Sequence, residues 1–139
     1  MKTSVVDASA LVRIFTGDGP IPEGLEAAIA QADRGDGSLL APELIWVEAG
    51  QALHRIKMRG QISEKEFTDL WSDMATIPIE SVRHRELLEG AFELAAEEKL
   101  SVYDASYLAL ALRTGSFLFT ADDRLGEAAN RHGYRKSEF

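Results

Sequence analysis

Val5-Val6-Asp7-Ala8-Ser9 constrains this chain more than any other stretch: a β-branched apolar run meets a carboxylate and passes directly into helix-compatible sequence. Strand, acid, helix is the opening of an α/β unit. In an open α/β sheet the carboxyl ends of the strands face the ligand crevice, so an Asp that ends a buried strand is delivered to the place where ligands bind. Capping of the following helix accounts for the same residue without any function.

The theme recurs along the chain. A first helix over 8–15 stops before the turn formers Thr16-Gly17-Asp18-Gly19-Pro20, and a second over 23–34 ends at Gly35-Asp36-Gly37. Leu39-Leu40-Ala41 reads as a short buried strand, and Pro42 suits the first turn of a third helix that runs to about Met58. Ser63-Glu64-Lys65-Glu66 has the form of a capping box, which opens a fourth helix over 64–74. Ile77-Pro78-Ile79 is a third strand, and its proline argues for an edge position. A patterned helix over 85–99, an apolar one ending at Leu112, a strand at Ser116-Phe117-Leu118-Phe119 and a last helix over 124–131 follow, with Tyr134-Arg135-Lys136 as a candidate fifth strand. Strands separated by helices throughout predict an α/β fold: a three-layer α/β/α sandwich on a small central parallel sheet, with about seven helices and four to five short strands.

At 139 residues and 45% hydrophobic, the chain is expected to form one domain over its whole length, 1–139. It has no cysteine, which excludes disulfides and thiolate metal sites and suits a cytoplasmic protein. An acid arrives too early for a signal peptide, and no apolar run approaches the roughly 20 residues that span a bilayer, so no membrane association is expected. The net charge of −8 argues against binding nucleic acid through overall charge. A polyanionic substrate would need a local basic patch, a bound cation, or both.

Three further acids stand in settings like that of Asp7. At about 100° per residue, Glu48 falls inside the apolar arc of the third helix, roughly 40° from Leu44 on one side and from Ala52 on the other. A carboxylate turned inward costs several kcal/mol unless it is paired, protonated or metal-bound; a salt bridge to Arg55, two turns on, would satisfy it without any function. Glu43 points away and is explained by solvent and the helix dipole. Asp104 opens a helix that is apolar almost all round, although Ser101 and Asp104 also fit a capping box. Phe117-Leu118-Phe119-Thr120-Ala121-Asp122-Asp123 repeats the opening pattern; one of its two acids is expected to be functional and the other capping or solvated, and Thr120 with Asp123 fits a capping box.

Four acids reached from apolar elements suggest one shared site. Carboxylates about 4 Å apart repel by about 4 kcal/mol per pair at an effective dielectric near 20, so a cluster of them calls for cations or for protons. All-oxygen ligation selects Mg²⁺ or Mn²⁺ over zinc. His54, His84 and His132 show no ligand spacing with one another and read as surface residues.

These stretches resemble the four acidic motifs of the PIN-domain ribonucleases, and most closely those of the VapC-type toxins of bacterial and archaeal toxin-antitoxin pairs. Val5 to Ser9 is similar to the first motif, Pro42 to Glu48 to the second, Tyr103-Asp104-Ala105 with Leu108-Ala109-Leu110-Ala111 to the third, and Thr120-Ala121-Asp122 to the fourth. The resemblance implies that Asp7, Glu48, Asp104 and Asp122 form a catalytic, metal-binding quartet, with Ser9 and Thr120 supporting it through hydroxyl hydrogen bonds. Where many relatives carry an Asn shortly after the helical Glu, this chain has Gly50 and Gln51. It further implies an RNA substrate, tRNA or rRNA, a homodimer, and an antitoxin whose tail covers the site. Arg13, Arg55, Lys57, Arg59, Arg124 and the 131–136 stretch are the candidate RNA-binding cations.

The chemistry expected is hydrolysis of an RNA phosphodiester by metal-activated water. A phosphotransferase using Asp7 as nucleophile is disfavoured, because that chemistry usually has a second acid two residues on, where this chain has Ser9. An RNA-maturation nuclease without an antitoxin and a catalytically silent PIN-like interaction module are compatible with the same residues.

Overall fold

The computed structural model describes residues 2–133. Four strands, β1 (Lys2–Val6), β2 (Gly37–Pro42), β3 (Ile79–Val82) and β4 (Phe117–Phe119), form one sheet in the order β3-β2-β1-β4. Every pairing is parallel, with Val5 opposite Leu40 and Val6 opposite Phe119. The chain builds outward from β1 through β2 to β3, then returns to lay β4 on the other side of β1. The order therefore reverses between β1 and β4, which is where open α/β sheets bind ligands.

Among the described residues, seven helices surround the sheet: α1 (Ala8–Thr16), α2 (Leu25–Asp33), α3 (Ile45–Met58), α4 (Glu64–Met74), α5 (Leu88–Glu98), α6 (Val102–Thr114) and α7 (Asp123–Arg131). α1, α3 and α4 pack on one another, while α6 lies against β1 and β2 with α5 outside it, completing the three layers. Residues Ala105 through Ala111 of α6 are all buried, as expected of a helix that is apolar on every side. Gly115 ends it in the left-handed conformation, φ 63°, that glycine adopts without steric cost.

Several boundaries differ from the sequence reading for local reasons. Pro42 closes β2 instead of opening α3, which begins at Ile45. The third strand starts at Ile79, after Pro78, and occupies the expected edge. A short 3-10 turn over His84–Leu87 precedes α5, so the patterned helix is shorter than its apolar repeat. The Ser63 capping box is present with both reciprocal bonds. The candidate strand at 134–136 lies outside the described residues. Among the described residues, no helix is long and apolar enough to cross a membrane.

Candidate active site

β1 ends at Val6, and Asp7 follows with extended backbone as the N-cap of α1. Its amide donates to the Phe119 carbonyl at 3.1 Å, which carries the contact between β1 and β4 one residue past the strand. The side chain is buried, only 3% exposed. Oδ1 accepts from the Ala10 amide at 2.8 Å and from the Ser9 hydroxyl at 2.7 Å, and Oδ2 accepts from the Thr120 hydroxyl. Both hydroxyls also receive backbone amides, Ser9 from Ala121 at 3.0 Å and Thr120 from Asp122 at 3.0 Å. Ser9 and Thr120 thus lock the turn after β4 onto the start of α1.

Two of the four candidate acids, Asp7 and Asp122, are helix caps. Asp122 is the N-cap of α7, accepting from the Leu125 amide at 2.9 Å, while Asp123 is exposed in the first turn. The Thr120 and Asp123 capping box is not formed, because the Thr120 hydroxyl serves Asp7 and the Asp122 amide. Asp104 stands in the first turn of α6, whose N-cap Ser101 accepts from the Asp104 amide at 3.0 Å. Glu48 stands in the first turn of α3. All four acids therefore occupy the amino ends of four different helices, where the unpaired amides and the helix dipole favour negative charge.

Repulsion among these acids passes through Asp104. Burial pushes the Asp7 carboxyl up to about 6, the three hydrogen bonds pull against it, and the Asp104 charge adds to the rise. Burial also raises Glu48, with the Asp104 charge again contributing, and raises Asp104, to which the Asp122 charge adds. These groups feel one another but do not crowd: among the described residues, only Glu97, Glu98 and His132 bring three ligand atoms within 4.8 Å of each other. That second cluster is an ion-pair network, since Arg131 holds Glu98 at 2.5 Å and His132 lies 3.3 Å from it. His132 is thus drawn into a partly buried contact, whereas His54 is exposed.

Glu48 is not paired with Arg55, which is exposed on the later turns of α3. Its Oε1 instead accepts from the Tyr107 hydroxyl at 2.5 Å. Tyr107 is 1% exposed. Burial and the neighbouring Glu48 carboxylate push its phenol well above the ordinary range, so it stays a donor. Sequence reasoning misses Tyr107. The signal is there, three places after Asp104 and so on the same face of α6, but in an all-apolar helix a tyrosine looks like core. Gln51, which stands near the position of the Asn seen in relatives, is exposed.

Of the candidate cations, Arg13 donates to the Pro20 carbonyl, Lys57 pairs with Glu64 at 3.3 Å and lies over the Phe67 ring, and Arg55 and Arg59 are exposed. Arg124 is the one whose charge reaches the acids, pulling Asp104 down. Thr120→Val keeps the shape and removes a donor to Asp7. It should shift the ionisation of Asp7 to higher pH, read by carboxyl ¹³C NMR.

The sequence profile of the PIN domain matches residues 4–131. The chain belongs to the PIN domain family. Ribonuclease VapC3 of Pyrobaculum aerophilum is 33% identical over 127 residues, covering 88% of this chain and 92% of the relative. Ribonuclease VapC1 of Mycobacterium tuberculosis is 30% identical over 129 residues, with 92% of each covered. Two crystal structures share the fold. PAE2754 from Pyrobaculum aerophilum has a TM-score of 0.65 at 23% identity, over 100% of this PIN domain and 88% of that chain. VapC20 of Mycobacterium tuberculosis, described as a Sarcin-Ricin loop cleaving toxin, has a TM-score of 0.60 at 14% identity, over 94% and 95%.

Proposed function

We propose that this PIN domain is a Mg²⁺- or Mn²⁺-dependent endoribonuclease and the toxin of a toxin-antitoxin pair. The observation that supports the reading is that Asp7, Glu48, Asp104 and Asp122 stand at the amino ends of four helices and are linked through the charge of Asp104, with Asp7 at the point where the strand order reverses. Its relatives named ribonucleases at 30–33% identity over most of the chain support the same chemistry.

The donor set is carboxylate oxygen throughout, which fits a hard divalent cation and not zinc. Its spread, wider than the 4.8 Å of the ion-pair cluster, suits Mg²⁺, which keeps several of its own waters. Asp7, Asp104 and Asp122 would hold the metal, and Glu48 would bind it or orient the attacking water. When bound, the metal supplies an activated water and neutralises charge developing on phosphorus-bound oxygen. In the reaction a water oxygen bonds to phosphorus, one P–O ester bond breaks, and the departing oxygen takes up a proton. Tyr107 holds Glu48 in place, and Ser9 and Thr120 hold Asp7.

An apolar face borders the crevice. Val47 and Tyr103, which immediately precede Glu48 and Asp104, are 76% and 64% exposed, and with Trp46, Leu88 and Val102 they line a hollow of about 530 Å³. Exposed apolar surface of this kind marks association, and it supports a homodimer that would set two crevices side by side. Purified protein should cut defined tRNA and rRNA only when Mg²⁺ or Mn²⁺ is supplied; cutting that survives EDTA would remove the metal mechanism. Induction in a host should arrest growth, with relief by a small adjacent gene product. Cleavage without arrest would point instead to RNA maturation.

A further inference from the structure

Arg124 occupies the second position of α7, two residues beyond the cap Asp122. A cation there faces the positive end of the helix dipole, an arrangement that helix stability alone disfavours. Its Nη2 donates to the Lys99 carbonyl at 2.6 Å. Lys99 caps α5 in the left-handed conformation, φ 58°, and among the described residues it is the one non-glycine with positive φ. Glycine is the usual occupant of such a cap. The chain then runs through Leu100 to Ser101, the cap of α6, and so to Asp104. The guanidinium is thus anchored to the segment that delivers Asp104.

The choice of anchor matters. Among the described residues, the ion pairs employ Arg34, Lys57, Lys65, His84, Arg113, Arg131 and His132, and Arg124 is in none of them. A neutral carbonyl fixes the position of a guanidinium without cancelling its charge, and leaves donors of its planar fork for an anion. The molecule carries a net charge of −8. A phosphodiester approaching the acids at the amino ends of α6 and α7 therefore meets Arg124, fixed on the Lys99 carbonyl two residues along α7 from Asp122, as a cation whose charge reaches Asp104.

We propose that Arg124 contacts a non-bridging oxygen of the scissile phosphate and stabilises its charge as the bond breaks, and that the Lys99 carbonyl fixes the reach of the guanidinium. This rests on the ribonuclease reading above and adds a catalytic cation to it. Such a donor acts mainly on the transition state.

The test is single-turnover cleavage of an RNA of defined sequence with Mg²⁺, for the intact chain and for Arg124→Lys and Arg124→Ala. Arg124→Ala should cut about 10²-fold more slowly, with RNA affinity much less affected and the melting temperature little changed. Arg124→Lys should fall between, because a point charge replaces the fork. Added guanidinium at millimolar concentration should partly restore Arg124→Ala. On a substrate whose scissile phosphate is replaced by methylphosphonate, the same substitution should cause no further loss. A merely structural role would not give this pair of results. Arg124→Ala cutting at the parental rate would overturn the proposal while leaving the ribonuclease reading intact. A loss that guanidinium fails to restore and that persists on methylphosphonate would overturn it in the same way. Failure of the parental chain to cut any RNA with Mg²⁺ or Mn²⁺ would remove both.

Discussion

Asp7→Asn should abolish divalent-dependent RNA cleavage, by roughly 10³-fold or more, and at the same time make the metal-free protein more stable at neutral pH. The two effects have one cause. Asp7 is buried, and its carboxyl titrates near 6 in the folded chain against 3.8 unfolded. Its folded pKa is raised, so the native state favours the protonated acid. Below pH 3.8 both states are protonated and the group contributes nothing; as pH rises from about 4 to about 6, stability falls; above 6 the full penalty, about 3 kcal/mol, is present. Asparagine carries no charge to desolvate, and it can still accept from the Ala10 amide and the Ser9 hydroxyl. Part of the gain will be lost where its NH₂ replaces the oxygen that accepts from Thr120.

Three measurements read this prediction. Denaturant unfolding between pH 4 and 8 should show a decline in the parental chain that is flattened in Asp7→Asn. Mg²⁺ should raise the melting temperature of the parental chain, by linkage to native-state binding, and should do so little or not at all for the variant. Cleavage should vanish while unfolding stays cooperative. A variant that unfolds earlier than its parent at pH 7.5, or that keeps its Mg²⁺ response, would contradict the placement of Asp7 as a strained ligand.

Tyr107→Phe should lower cleavage by about 10–100-fold without touching any acid, the range typical for losing a group that orients a ligand. The phenol gives Glu48 its hydrogen bond at 2.5 Å and holds down a carboxyl that burial pushes up. Removing the donor should move Glu48 further up, so the acid limb of the pH–rate profile should shift to higher pH. Stability should fall by about 1 kcal/mol, the cost of losing a hydrogen bond to a half-buried acceptor that water can partly satisfy. That loss should grow with pH, because the ionised carboxylate needs the donor more than the neutral acid does. A drop in rate with an unmoved pH profile would mean that Tyr107 acts only as core.

The two residues differ in how visible they are in the sequence. Asp7 and Asp122 are legible because a short apolar strand followed within three residues by an acid is a local pattern, and in a parallel sheet that pattern sends every such acid to the same edge. Glu48 is legible from helical periodicity, since a carboxylate in an apolar arc is conspicuous. Asp104 is ambiguous alone, and only the fold shows that it shares with the other three acids a place at a helix amino end, those of α1, α3, α6 and α7. For Asp7 and Asp122, capping does not preclude ligand binding, because an N-cap already sits where amides point outward at whatever lies beyond the helix.

Amino-acid order by itself determined the alternation of strands and helices, the parallel sheet, the PIN resemblance and the identity of the acids, because each follows from spacing within a few residues or from residue type. Tertiary structure alone decided the partners. That Glu48 meets Tyr107 instead of Arg55, that Thr120 reaches 113 residues back to Asp7, and that Arg124 is held by the carbonyl at Lys99 are contacts between segments far apart in the chain. No local rule brings such groups together, since their distance is set by how the sheet orders its strands and how the helices pack across them.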